Sequence, residues 1–210
     1  MVASDCILAH VRAATQSSGV NEPNCHPFRY QRYLFMHNGD VGNFRRVRRR
    51  MLEGVCDEAF SNVYGSTDSE HFFALCIDEL LSQPPDRAPL ERLAHALHAA
   101  LARTVALVAA HGDDEPSYMN CALSDGDHAV VSRFTNAAAD SPESLYYFHG
   151  ALYPAIAAAA RDDPSAQHAR HPVIVSSERL TADSGWQPIP ANHMVLMRRG
   201  RAPELRAIEL

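Results

Sequence analysis

The 210-residue sequence has no lysine; all 19 of its basic residues are arginines. That excludes chemistry built on a lysine amine, including the Schiff base and the phosphate-gripping P-loop lysine. The five cysteines, Cys6, Cys25, Cys56, Cys76 and Cys121, contain no Cys-x-x-Cys pair, which excludes a zinc knuckle or dithiol motif of that spacing. The 12 histidines include no His-Glu-x-x-His, so a metal-dependent hydrolase of that kind carries little weight. Excess positive charge is lacking too: the net charge is -6, which argues against nucleic acid as a partner. The weakly polar run Leu101–Ala110 is broken by Arg103 and flanked by His111. It falls short of the roughly 18 apolar residues of a membrane span, so no membrane contact is expected. The opening Met-Val-Ala-Ser-Asp-Cys has neither a basic region nor a long apolar one. No signal peptide is expected, and reduced cysteines in a cytoplasmic protein are the simplest reading.

What is present suits a folded body. Hydrophobic residues make up 46% and charged residues 21%, close to the average globular chain. Cys6–Arg12 and Tyr33–His37 read as strands, the second followed by the turn pair Asn38-Gly39. Asn43–Glu53 reads as a short helix with Val47 and Met51 on its apolar side. Its run Arg45, Arg46, Arg48, Arg49 and Arg50 fits a solvated face better than an anion site. Thr67-Asp-Ser-Glu70 is a capping-box pattern opening a helix to about Ser82, and a longer helix is predicted from Pro89 to His111. Asn120–Ser124 and Ala129–Arg133 flank Asp125-Gly126-Asp127 as a hairpin. Further strands are expected at Ser144–Phe148, Val173–Ser176, Met194–Met197 and Leu205–Ile208. The alanine-rich residues 155–170 look like a variable insertion. Strands, two helices and more strands predict an α+β fold in a single domain.

Four clusters carry the chemistry: His10-Val-Arg-Ala-Ala-Thr15, Asn24-Cys-His-Pro-Phe28, Met36-His-Asn-Gly39 and Gly65-Ser-Thr-Asp-Ser-Glu70. Together and in this order they resemble the class II glutamine amidotransferase domain of the N-terminal-nucleophile hydrolases. The branch they resemble most acts on γ-glutamyl compounds, some members degrading glutathione. Asn120-Cys-Ala-Leu-Ser-Asp-Gly126, Ser144-Leu-Tyr-Tyr147 and Val175-Ser-Ser-Glu-Arg-Leu-Thr181 followed by Trp186 extend the resemblance to most of the chain. It implies an αββα sandwich and a small-molecule γ-glutamyl substrate, with no metal or organic cofactor.

The resemblance also assigns roles. Arg12 would pair with the substrate's α-carboxylate, a geometry suited to a bidentate guanidinium. Asp68 would grip the α-ammonium, Thr15 would support the glutamyl group, and Asn38 and Gly39 would form the oxyanion hole. Each has a plainer reading in isolation: an ion pair, an acid at a helix N-terminus, a strand-end threonine, a hairpin turn. His10, His26 and His37 are read as structural or supporting, because in this class the nucleophile's own α-amino group is the general base.

The family's nucleophile is an N-terminal cysteine, and this sequence opens Met1-Val2. Cys6 does not replace it. If Cys6–Arg12 is a strand, its ends lie roughly 20 Å apart, whereas a glutamyl group is about 6–7 Å long. Cys56, Cys76 and Cys121 read as buried apolar residues. The expectation is therefore a domain incomplete at its N-terminus, missing the nucleophile and one or more strands. Its rival is a non-catalytic pseudo-amidotransferase that binds γ-glutamyl ligands or a partner subunit.

Overall fold

A computed structural model describes residues 6–11, 22–113, 115–138, 142–150 and 172–210. In chain order the elements are β1 (Phe28–Tyr30), β2 (Tyr33–Asp40), α1 (Phe44–Met51), α2 (Asp57–Ser61), α3 (Asp68–Ser82), α4 (Pro89–His111), β3 (Tyr118–Ser124), β4 (His128–Arg133), β5 (Tyr146–His149), β6 (Val173–Ser176), β7 (Trp186–Pro188), β8 (His193–Arg198) and β9 (Glu204–Ala207). The strands form a six-stranded sheet, β1-β2-β3-β4-β8-β9, and a three-stranded sheet, β6-β5-β7. All the pairings are antiparallel.

Period-two alternation sends each strand of the large sheet to two different neighbours. Phe35 and His37 of β2 and Met119, Cys121 and Leu123 of β3 face the helices. There they meet Phe72, Phe73, Leu75 and Ile77 of α3 and Leu93, Leu97 and Leu101 of α4. Phe35 stacks on Phe73 with ring centroids 5.2 Å apart. The opposite face, with Ala122, Val131, Val195 and Met197, packs on Leu145, Tyr147, Val175 and Ile189 in and around the smaller sheet. The described layers are therefore helix, sheet, sheet. Residues 155–170, expected as an insertion, lie outside the described residues.

Several sequence expectations need correction. Cys6–Val11 forms no strand; it crosses the sheet, with Cys6 Sγ 3.4 Å from Ser124 Oγ and the His10 ring 4.3 Å from that of His26. Asn38 and Gly39 are not a turn but the last part of β2. Cys56 is exposed at the start of α2, while Cys76 and Cys121 are buried as expected. By length and mean hydropathy, 1.5 over its apolar window, α4 is long and apolar enough to cross a membrane. Its apolarity is accounted for by packing: Leu93, Leu97, Leu101 and Val108 fill the core between α3 and the sheet. The five arginines of α1 are all exposed, and two of them pair with acids, Arg46 with Asp113 and Arg49 with Glu53.

Candidate active site

The C-terminal end of β2 and the N-terminus of α3 meet at one edge of the large sheet. Thr67 caps α3, its hydroxyl accepting the Glu70 N–H at 3.2 Å. The reciprocal half of the capping box is absent. The Glu70 carboxylate, 3% exposed, instead accepts the N–H groups of Tyr64 at 2.7 Å and Gly65 at 2.6 Å. Glu70 thus pins the incoming loop and fixes where the first turn of α3 begins.

Asp68 and Glu70 lie about 200° apart around the helix. Glu70 faces that loop and Asp68 faces β2. Asp68 Oδ2 accepts the Val41 N–H at 2.9 Å, and Oδ1 accepts the Ser69 N–H at 2.8 Å. Each carboxylate oxygen keeps acceptor capacity for a cation. The Asp40 carboxyl, which the sequence reading did not single out, is held above the usual carboxylate range by burial and then by the charge on Asp68. Two carboxylates at close quarters form an environment that a cation relieves.

His37 ties the two elements together. Its Nε2 lies 3.0 Å from the Tyr118 carbonyl oxygen, which can only accept, so Nε2 carries the proton. Nδ1 is therefore free to accept the Ser69 hydroxyl at 2.9 Å. The ring is 3% exposed. It is a buried strut between β2, β3 and α3, in keeping with a supporting role.

The register fixes what Asn38 and Gly39 present. Asn38 pairs with Asn120, and Gly39 with Met119. The Met119 N–H donates to Phe134 O on the β4 side, and the Cys121 N–H turns the same way, to Ser132 Oγ. In an antiparallel ladder the amides alternate, so Asn120 faces β2 and Met119 does not. The Gly39 N–H therefore points away from β3, towards an edge that β1 does not reach, since β1 ends its pairing at Phe28↔Phe35. The Gly39 backbone has φ 135°, and a Cβ there would lie 1.9 Å from Tyr118 O. Only glycine fits both requirements. Among the described residues, Asn38 makes no side-chain hydrogen bond and is exposed. The edge thus carries an N–H from Gly39, an amide from Asn38 and, two residues along the chain, the contact to Asp68.

The structure places Asn38, Gly39 and Asp68 at this one edge of the sheet. Arg12 and Thr15 lie outside the described residues. Cys121 lies across the ladder from His37, near enough for the Asp68 charge to add to burial in raising its thiol, but it faces the helical core; the other cysteines stand elsewhere. Cys6 touches Ser124, which pairs with Leu34, four positions along β2 from Asn38; at about 3.3 Å per residue that is roughly 13 Å. Cys76 and Cys121 are buried in the core, where burial pushes both thiols up. Cys25 lines a shallow pocket with Tyr64 and Glu70, on the side of α3 away from Asp68.

The helix–sheet–sheet layering is that of the class II glutamine amidotransferase fold. Residues 1–209 match the model of the class II glutamine amidotransferases, and the chain belongs to that family. It is 34% identical over 207 residues to the probable glutamine amidotransferase DUG3 of Saccharomyces cerevisiae, covering 93% of this chain and 58% of the yeast protein. The chain therefore spans little more than half the length of that relative. Among solved structures it is similar to a glutamine aminotransferase class-II domain protein from Silicibacter pomeroyi, with TM-score 0.66 and 31% identity over 90% of this chain and 74% of the other. The glutamine phosphoribosylpyrophosphate amidotransferase of Bacillus subtilis shares the fold, with TM-score 0.55 and 13% identity over 96% of this chain and 34% of that one.

Proposed function

We propose that in the complete protein this domain hydrolyses a γ-glutamyl amide: glutamine, glutathione or a related compound. The observation that carries the reading is the spacing at the β2 edge. From Gly39 to Val41, whose N–H holds Asp68, is two residues of strand, about 6–7 Å. From the α-nitrogen of a glutamyl group to its reacting carbonyl carbon is about 5 Å. One substrate can place its ammonium at Asp68 and Asp40 and its carbonyl oxygen at the Gly39 N–H and the Asn38 amide. Arg12, by resemblance, takes the α-carboxylate.

In the reaction a thiolate attacks the γ-carbonyl carbon. A C–S bond forms and the C=O π pair moves onto oxygen, where the Asn38 and Gly39 donors receive it. Collapse breaks the C–N bond, and the amine leaves with a proton from the catalytic base. Water then hydrolyses the thioester to glutamate and free thiol. The positions of the five cysteines speak against a nucleophile drawn from these residues, so the thiol comes from the complete protein. The resemblance of the sequence motifs to a branch with glutathione-degrading members favours glutathione-type substrates, and a partner subunit or a second copy is the natural place for the amine side of the pocket to be completed. The protein is expected to work in the cytoplasm.

The test is glutamate release from glutamine and from glutathione, with hydroxylamine to trap the thioester as γ-glutamyl hydroxamate. The complete protein should give both products and residues 1–210 alone should give neither. Asn38→Ala in the complete protein should lower turnover about 100- to 1,000-fold with little change in binding. Ligand binding by the complete protein without glutamate release would instead favour a non-catalytic binding domain.

A further inference from the structure

Asn120 stands directly across the ladder from Asn38. It is 7% exposed, and its Nδ2 donates to the Glu143 carbonyl oxygen at 3.0 Å in the segment leading to β5. That bond fixes which end of the amide is which, because a flipped Oδ1 would face another acceptor. Oδ1 is buried and has no hydrogen-bond partner among the described residues. A buried carbonyl without a donor is costly and calls for an explanation. The side-chain amide of its cross-strand neighbour, Asn38, has two N–H groups and makes no hydrogen bond among the described residues.

We propose that Asn120 is the positioning residue of the oxyanion hole. In the ligand-bound state its Oδ1 accepts one Nδ2–H of Asn38 and thereby aims the other at the developing oxyanion. This rests on the γ-glutamyl reading of the site above. The geometry suits the role. Side chains on directly opposed residues have Cβ atoms about 4.5–5.5 Å apart, within reach of an amide–amide hydrogen bond. The two N–H vectors of a planar amide diverge by roughly 120°. With one held towards β3, the other turns away from β3, towards the side that the Gly39 N–H faces. Through Nδ2 and Glu143 the same residue anchors this arrangement to the smaller sheet, so both sheets define the direction of the catalytic dipole. Preorganising a donor in this way is what lets it stabilise charge without reorganising during the reaction.

The experiment uses the complete protein and two ligands: L-2-amino-4-phosphonobutanoate, whose tetrahedral anion mimics the oxyanion, and L-glutamine, the ground state. Asn120→Leu removes the acceptor while roughly keeping the volume. It should weaken phosphonate binding at least about 10-fold while glutamine binding changes less than about 3-fold. In an Asn38→Ala background, Asn120→Leu should add nothing, because its effect passes through Asn38. An undiminished loss in that background would mean that Asn120 touches the ligand itself, and would overturn the proposal. So would unchanged phosphonate affinity in the single variant. Should Asn120→Leu not fold, the unmutated protein crystallised with the phosphonate decides. An Asn120 Oδ1 to Asn38 Nδ2 distance near 2.9 Å supports the proposal, and separated side chains overturn it. If the unmutated protein binds neither ligand, the γ-glutamyl reading falls and the proposal with it; binding that Asn120 does not influence overturns the proposal alone.

Discussion

Replacing Gly39 by alanine tests the site at its narrowest point. The new Cβ would lie 1.9 Å from the Tyr118 carbonyl oxygen, which is backbone and cannot swing aside. An ordinary C···O contact is about 3.3 Å, so β2 and β3 must separate locally by roughly 1.4 Å or the residue must change conformation. The φ of 135° adds a strain that only glycine escapes. Strain of this kind costs about 1–3 kcal/mol and overpacking about 1–3 kcal/mol. The total of about 2–6 kcal/mol is a large part of a domain stability of about 5–15 kcal/mol. At about 2–4 °C per kcal/mol for a chain this long, Tm should fall by roughly 4–24 °C. Gly126 supplies the control. Its φ is 94°, but a Cβ there meets nothing within 4 Å, so Gly126→Ala carries the strain without the clash. Differential scanning calorimetry of both variants separates the two contributions. The clash should also carry the Gly39 N–H off target by about 1 Å, enough to lose a hydrogen bond and weaken phosphonate binding about 100-fold. A Gly39→Ala variant no less stable than Gly126→Ala would refute the reasoning.

Asp68→Asn should weaken L-glutamate about 10- to 100-fold, the worth of a charge-assisted hydrogen bond, and leave glutarate, which has no ammonium, nearly unaffected; calorimetric titration of both ligands checks this. Asp40 titrates above its usual range because of burial and then the Asp68 charge. Its raised folded pKa means that stability falls as pH rises through the window above 3.8. Asp40→Asn should therefore raise Tm at pH 7. In the unmutated protein an ammonium ligand favours ionised Asp40, so affinity should fall as pH drops through that window, and Asp40→Asn should flatten the dependence. His71 is held below 6.5 chiefly by burial, its Nδ1–H donating to Thr67 O at 2.8 Å. A depressed histidine stabilises above its unfolded pKa, and that stability is lost as pH falls through the folded value. Urea unfolding at pH 7 and pH 5 should show a loss, at most about 1.4 kcal/mol per pH unit from this group, that shrinks in His71→Leu.

Much of the fold was legible because its signals are local. The limits of α3 and α4 follow from the Thr67 cap, the prolines after Ser82 and the Leu93–Leu97–Leu101 stripe. The β3–β4 hairpin follows from its Asp-Gly turn. What was missed depends on distant partners. β1 and β7 are three residues each and exist only because β2 and β5 offer them an edge. Cys6–Val11 has a strand's composition, but no described strand pairs with it. Cys56 has the residue type of a core position, yet its N–H is held at the surface by Asp78.

The site divides along the same line. Asn38, Gly39 and Asp68 stand out in the sequence because each sits in a motif. Their neighbours do not, because their contacts arise across the ladder. Asn38-Gly39 shows why sequence context misleads: the pair commonly means a turn, but here β3 extends to Tyr118 and keeps both residues in the sheet. Being in the sheet is what makes them useful. A turn would leave the Gly39 N–H to water, free to choose its direction. A ladder residue in a non-hydrogen-bonded pair has its N–H aimed by the strand, and among the described residues β1 ends before it reaches that direction. The same register sets Asn120 against Asn38 and His37 beside Cys121, so one face of β2 braces the helix that carries Asp68 while the other carries Asn38, the donor of the proposed reaction. A one-residue slip between β2 and β3 would exchange those faces, sending Asn38 into the helical core and His37 to the opposite face. The register of this single strand pair therefore fixes the geometry of the edge, and the buried Asn120 oxygen, without a partner among the described residues, is where the proposed ligand-bound contact can be tested.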